Sequence, residues 1–414
     1  MPIPDFEDKL EKYAATIVSV GLGLQPGQRL MINTPVLAAP LVHAVAAIAY
    51  QNGCPLVDVN WRDEQLELVR YQHAGRDTFT EYPIYRAEGA HQLVSEGGAL
   101  LSITGENPDL LKDQDPELIT TARKTALTHM KPVYDLLDRN GFNWAIASYP
   151  TESWASKVFP VLDPAVQIER LWEAIFHVCR ITHQDPVSAW RAHITELQAR
   201  AAYLTRQQYQ SLSYRAPGTD LSIGLAEGHK WLGGSGTTES GIEFAPNLPT
   251  EEVFTLPHRE RINGVVTASM PLSHAGSLIE GFCLTFKEGR VVHIQAERGE
   301  DILRKMIEID EGMSSLGEVA LVAQSSPVAK TGVLFYNTLL DENAASHIAL
   351  GDGLNFCLQE GEKLSEQEYT ARGGNSSLSH VDFMIGSAEM DIDGVLPDGT
   401  RHPVMRSGEW AFQI

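Results

Sequence analysis

The sequence predicts an α/β fold class. An N-terminal α/β domain with a mostly parallel sheet covers residues 1–210, and a β-rich α+β C-terminal domain covers 211–414. Three observations lead there. Short apolar runs alternate with helical segments through the first half, the pattern of βαβ units. After about residue 211 a period-two alternation joined by Gly-rich turns takes over. The 414 residues, 43 % of them hydrophobic, are also enough to build more than one core.

Taken in order, Asp5 to Val20 reads as an amphipathic helix, followed by a QPGQ turn and the short strand RLMINT. Residues 36–51 are an alanine-rich helix that stops at Asn52-Gly53. PLVDVNW is the next strand, RDEQLELVRYQHA a helix, and GALLSITG and NWAIASYP are further strands bounded by turn residues. From about 165 to 210 the chain is helical and polar, interrupted at Asp185-Pro186. Beyond 211, segments such as LSYRAPGTDLSIGL, IEGFCLTFKEGRVVHIQAE and VDFMIGSAEMDIDGV alternate as strands, with PDGT at 397–400 as a hairpin turn.

Composition excludes several classes of function. Lys and Arg number 32 against 54 Asp and Glu, a formal charge of −22, so neither nucleic acid nor an anionic membrane is expected as a partner. No apolar run is long enough to span a bilayer, and the opening residues lack the cationic-then-apolar pattern of a signal peptide. Cys54, Cys179, Cys283 and Cys357 are isolated, which points to a reduced, cytoplasmic setting. Motifs of the type GxxxxGK[ST], HExxH and GxSxG are absent.

What remains is a set of carboxylates and histidines in the second half. His380 and Asp382 open a strand two residues apart, so their side chains share a face and can share a cation. A strand-end histidine beside a solvated aspartate is the plainer alternative. Glu252 follows Glu251 in PTEEVF, where Thr250 capping a short helix is the competing explanation. Glu318 enters an apolar run after a glycine, where a carboxylate is costly unless paired or metal-bound. Glu342 and His347 lie five apart in DENAASHIALG; a surface helix would explain the acid, less easily the histidine. Together these six residues offer four carboxylates and two imidazoles, enough to balance two divalent cations. Two such ions can hold a bridging hydroxide and polarise a carbonyl, which suits hydrolysis of a small amide.

NLPTEEVFTLPHRERINGVV, SSLGEVALV, ENAASHIALG and SHVDFMIGSAEMDIDGV together resemble the metal-site segments of the M29 peptidases. NTPVLAAPLVHAVAAIAYQNG, VDVNWRDEQ, SYPTESWA and GTDLSIGLAEGHKWLGG extend the resemblance over nearly the whole chain. It implies a metal-dependent aminopeptidase acting on small peptides, with a dinuclear site in a catalytic C-terminal domain and a homodimer as the working form. Zinc or cobalt is the expected metal pair, with manganese or magnesium as alternatives. Residue by residue, Glu252, Glu318, His347, His380 and Asp382 carry over as metal ligands. Glu342 aligns with an acidic position of the site, and either Glu318 or Glu342 is implied as general base toward the bridging water.

One position departs from the pattern. Where the family has a tyrosine near the metals, ungapped reading gives Leu354, and Tyr369 is the candidate substitute. Two rivals stay in view: an amidase of the same dinuclear chemistry acting on another small amide, and, suggested by this departure, a catalytically weakened metal-binding dimer with a structural role.

Overall fold

The structure is a computed structural model that describes residues 3–274 and 277–414. The chain divides into two compact units, one of residues 1–193 with 235–249, the other of 194–234 with 250–414. The contact boundary therefore lies within the long helix Pro186–Gln207, while the change of texture at 211 marks the first strand of the second unit, Ser211–Ala216.

The first unit is built on four parallel strands: β1 (Leu30–Pro35), β2 (Val57–Arg62), β3 (Ala99–Thr104) and β4 (Trp144–Ser148), in the order β2-β1-β3-β4. The central strand β1 is buried on both faces, and it opens on the consecutive apolar residues Leu30, Met31 and Ile32 rather than an alternation. The helix Ala39–Gln51 ends as expected, with Gly53 at φ 86°, a conformation a side chain would strain. The helix Glu64–His73 starts at Asp63, whose carboxylate accepts from the Gln65 and Leu66 amides. The first helix is shorter than its pattern: it runs Phe6–Thr16 and widens into a π turn over Ile17–Gly21. The 22-residue helix Pro116–Leu137 carries Pro132 inside it and was not separable in the sequence from its irregular surroundings.

The second unit is built mainly on two antiparallel sheets. The eight-stranded one includes Ser211–Ala216, Thr219–Leu225, Pro257–Thr267 and Cys283–Lys287; Asp391–Val395 and Arg401–Arg406 flank the predicted 397–400 turn, where Gly399 has φ 84°. The five-stranded one runs His380–Met384, His347–Gly351, Leu316–Leu321, Val253–Thr255, Leu232–Gly233. One hydrophobic core joins them, with Ile223, Ile262 and Val266 of the larger sheet and Val319, Ile348, Val381 and Phe383 of the smaller. The fold is α/β followed by a β-rich unit, as the alternation predicts.

Candidate metal centre

Strand parity puts the predicted residues on one side of the five-stranded sheet. Pairing aligns Ala320 with His347, Glu318 with Ala349, Ala349 with Asp382 and Gly351 with His380. Paired residues share a face, so Glu318, His347, His380 and Asp382 all project together. The alternate residues Val319, Ile348, Leu350, Val381 and Phe383 face the core instead. Apolar burial on one side thus fixes the register that collects polar groups on the other. Glu252 precedes the strand Val253–Thr255, which pairs with the Glu318 strand.

Five residues form two compact triplets, Glu252–Glu318–His347 and Glu318–His380–Asp382, each with donor atoms within 4.8 Å of one another. Glu318 belongs to both. His347 Nε2 lies 3.0 Å from Glu252 Oε2 and 3.8 Å from Glu318 Oε1. His380 Nε2 lies 3.4 Å from Glu318 Oε2 and 3.1 Å from Asp382 Oδ1. The triplets differ in access. His347 and Glu252 are sealed at 1 % and 8 % side-chain exposure, whereas His380 and Asp382 keep 28 % and 13 %.

Both imidazoles are oriented the same way. His347 Nδ1–H donates to the Ala345 carbonyl at 3.1 Å, and His380 Nδ1–H donates to the Asp352 carbonyl at 2.7 Å. A carbonyl only accepts, so Nδ1 carries the proton and the Nε2 lone pair is left for the centre. The buried Oε2 of Glu252 has no hydrogen-bond partner apart from the His347 Nε2 it faces at 3.0 Å. Such an oxygen costs about 1–3 kcal/mol or more without compensation. A hard-and-borderline O/N donor set whose Nε2 atoms and carboxylate oxygens converge fits divalent cations once the imidazoles are neutral.

The electrostatics agree. Burial pushes the Glu252 carboxyl up against the opposing pull of His347. Burial raises Glu318 as well, but the His347 and His380 imidazoles outweigh it and hold the carboxyl below its ordinary value. Asp382 is likewise lowered, burial losing to His380. Burial lowers both imidazoles, yet the adjoining carboxylates (Glu252 and Glu318 for His347, Asp382 and Glu318 for His380) raise them well above 6.5. Glu342 belongs to neither triplet; burial, then Asp382 and Glu252, push its carboxyl well up.

Some expectations change in three dimensions. Thr250 caps no helix: Glu251 and Glu252 are extended and buried, with the Glu251 amide donating to Asn343 Oδ1 at 2.7 Å. Asp341 and Glu342 are not on a surface helix. Asp341 is buried, accepts from the Phe335 and Asn337 amides, and is pushed up to about 7 by burial. Glu318 is the third residue of a fully buried strand rather than its mouth. His229 and Trp231 are buried at 2 % each, consistent with packing. Gly317 and the Asp352 carbonyl escaped the sequence reading. A β-carbon at Gly317 would lie 2.0 Å from that oxygen, so the glycine of LGEV admits the group that holds His380. A backbone acceptor leaves no mark in a sequence.

A family model described as thermophilic metalloprotease (M29) matches residues 6–410. The chain belongs to the M29 metalloprotease family. Among its relatives, Aminopeptidase 2 of Geobacillus stearothermophilus is 47 % identical over 409 residues, 99 % of each chain. Aminopeptidase T of Thermus thermophilus is 44 % identical over 98 % of this chain and 99 % of its own. The solved structure of wild-type AmpT from Thermus thermophilus superposes with a TM-score of 0.92, covering 98 % of this chain and all of that one at 43 % identity. A 2,5-dihydroxypyridine dioxygenase from Pseudomonas putida KT2440 matches at a TM-score of 0.51 and 12 % identity, over 98 % of this chain and 97 % of its own, a likeness of fold alone.

As an M29 member the protein is a metal-dependent peptide hydrolase. The position expected to hold the family's tyrosine is Leu354, which packs on a small apolar cluster containing Leu256, Cys357, Leu358 and Tyr369. The Tyr369 ring lies against Gly374, and its hydroxyl lies 2.5 Å from where a Gly353 β-carbon would be. Cys357, remote in sequence, is close enough for Glu318 to reinforce the effect of burial, which pushes its thiol well up. It therefore stays a thiol and adds no thiolate to the centre.

Proposed function

We propose that the protein is an aminopeptidase working through two divalent ions, zinc or cobalt, one held by each triplet. The sharing of Glu318 between two triplets is the observation that carries this reading. Glu252, Glu318 and His347 would hold one ion; Glu318, His380 and Asp382 would hold the other. Ions so held supply Lewis acidity toward the scissile carbonyl and lower the pKa of water.

The protein's own groups do the rest. Glu318 is committed to both triplets, whereas Glu342 lies in neither and has a carboxyl raised by burial and by Asp382. Glu342 is thus the group set to take a proton from the attacking water and pass it to the leaving amine. The relatives named aminopeptidases support the N-terminal residue as the one released. When all four carboxylates are ionised, two divalent charges neutralise them. Family resemblance supports a homodimer, and the isolated cysteines support a cytoplasmic location.

Hydrolysis of aminoacyl-nitroanilides after cobalt or zinc addition tests the proposal. Release of nitroaniline from free-amine substrates but not from their N-acetyl analogues is expected. Lack of activity with every metal overturns it.

A further inference from the structure

The exposed triplet depends on a segment that has little packing of its own. Residues 376–379 lead into the His380 strand and are not part of any strand or helix. Their geometry is set from outside, by Asp310. This carboxylate lies between the helix Glu300–Ile307 and the 3₁₀ turn Gly312–Ser314. Its Oδ1 accepts from the Met313 amide at 3.0 Å and from Ser377 Oγ at 2.9 Å; its Oδ2 accepts from the Leu378 amide at 2.7 Å. A single side chain therefore ties the approach to the Glu318 strand to the approach to the His380 strand, 67 and 68 residues away in sequence.

Two neighbours complete the frame. Asn375, 1 % exposed, donates through Nδ2 to the Gly312 carbonyl at 2.8 Å and the Gly351 carbonyl at 2.6 Å. It links the same turn to the end of the His347 strand. Asp352 Oδ1 accepts from the Ser377 amide at 2.9 Å, and the Asp352 carbonyl is the acceptor that orients His380. Ser377 is thus gripped at its hydroxyl by Asp310 and at its amide by Asp352. Three residues further on is the imidazole whose Nε2 must reach Glu318 and Asp382 together.

We propose that Asp310 is a positioning residue for the metal position formed by Glu318, His380 and Asp382, acting through Ser377 and the Leu378 amide. The proposal rests on the two-ion reading above. Hydrogen bonds to a charged acceptor are the stronger kind, and three of them converge here on one carboxylate. An amide at this place cannot reproduce them. In Asp310→Asn one acceptor becomes a donor, which faces either the Met313 N–H or the Leu378 N–H, neither of which can accept. The segment then relaxes and His380 loses its aim, while Glu252, Glu318 and His347 keep their own supports.

Cobalt(II) titration of the metal-free full-length protein, followed by absorption and by metal analysis after dialysis, tests this. Wild type is measured first: fewer than two ions bound overturns the two-ion reading and, with it, this proposal. With two bound, Asp310→Asn is expected to weaken one ion by about 10- to 100-fold, the effect typical of an outer-shell partner, and leave the other unchanged. Wild-type affinity for both ions in a folded variant overturns the positioning role with the two-ion reading intact. Equal weakening of both ions overturns it too, as a general loss of structure. If Asp310→Asn does not fold, Ser377→Ala carries the test, because it keeps the Leu378 bond and should show a smaller loss at the same single position; no loss there counts against the proposal.

Discussion

His380 donates its Nδ1 proton to the backbone carbonyl of Asp352 at 2.7 Å, and that bond sets which way the imidazole's other nitrogen points. Neither residue announces the relationship in the sequence, since the acceptor is main chain. It exists because the Glu318 strand carries a glycine where Asp352 makes its closest approach.

Gly317→Ala should therefore disturb the centre without touching a ligand. Its β-carbon would stand 2.0 Å from the Asp352 oxygen and 2.6 Å from the Gly351 oxygen, both backbone atoms that cannot swing aside. A loss of about 1–3 kcal/mol in stability is expected, together with reduced bound metal. Thermal unfolding and metal analysis of the purified variant check both; a variant with wild-type melting and full metal content contradicts the account.

Glu318 and Asp382 should differ in what their removal costs. Glu318→Gln weakens both triplets, because it is shared, and should leave the protein with neither ion firmly bound. Asp382→Asn should spare the Glu252–Glu318–His347 triplet and cost one ion only. Activity should fall in both by more than the roughly 100-fold that loss of an outer-shell partner produces. Ion counts that do not separate the two variants would place the shared ligand elsewhere.

Access predicts graded metal removal. His347 is 1 % exposed and His380 28 %. A chelator should strip the ion at His380 first, giving two kinetic phases, with most activity lost in the faster one. A single phase removing both ions together counts against two positions of unequal access.

Metal uptake should expel protons. The surrounding carboxylates hold His347 and His380 protonated above their ordinary range in the metal-free protein, and a metal accepts only the neutral imidazole. Apparent affinity should consequently rise with pH up to the raised histidine pKa values and fall as pH drops. Binding heats measured in two buffers of different ionisation enthalpy read the released protons directly; identical heats would show that the imidazoles enter the complex already neutral.

The ligand types were legible in the sequence because burial of charge is expensive: Glu318 in an apolar run and the His380/Asp382 alternation stand out against that cost. The parallel sheet was legible for a different reason, the alternation of short strand-like runs with helical segments that βαβ units require. Local signals misled where a buried site imitates a surface element. Thr250-Glu251-Glu252 has the composition of a helix start, yet it runs extended into a strand because pairing with the Glu318 strand offers more than a cap does.

By itself, then, the sequence determined the order of helices and strands, the acidic balance and the membership of the M29 family, and it offered six candidate ligands, five of which the triplets contain. Tertiary structure alone decided that Glu318 serves two triplets, that one of them is sealed and the other open, and that Asp310 and the Asp352 carbonyl hold His380. The physical reason lies in how each kind of information is carried. Periodicity and burial cost act along the chain and leave a pattern in it. Cross-strand register, and bonds made by backbone atoms between residues dozens of positions apart, are fixed only when the sheets pack.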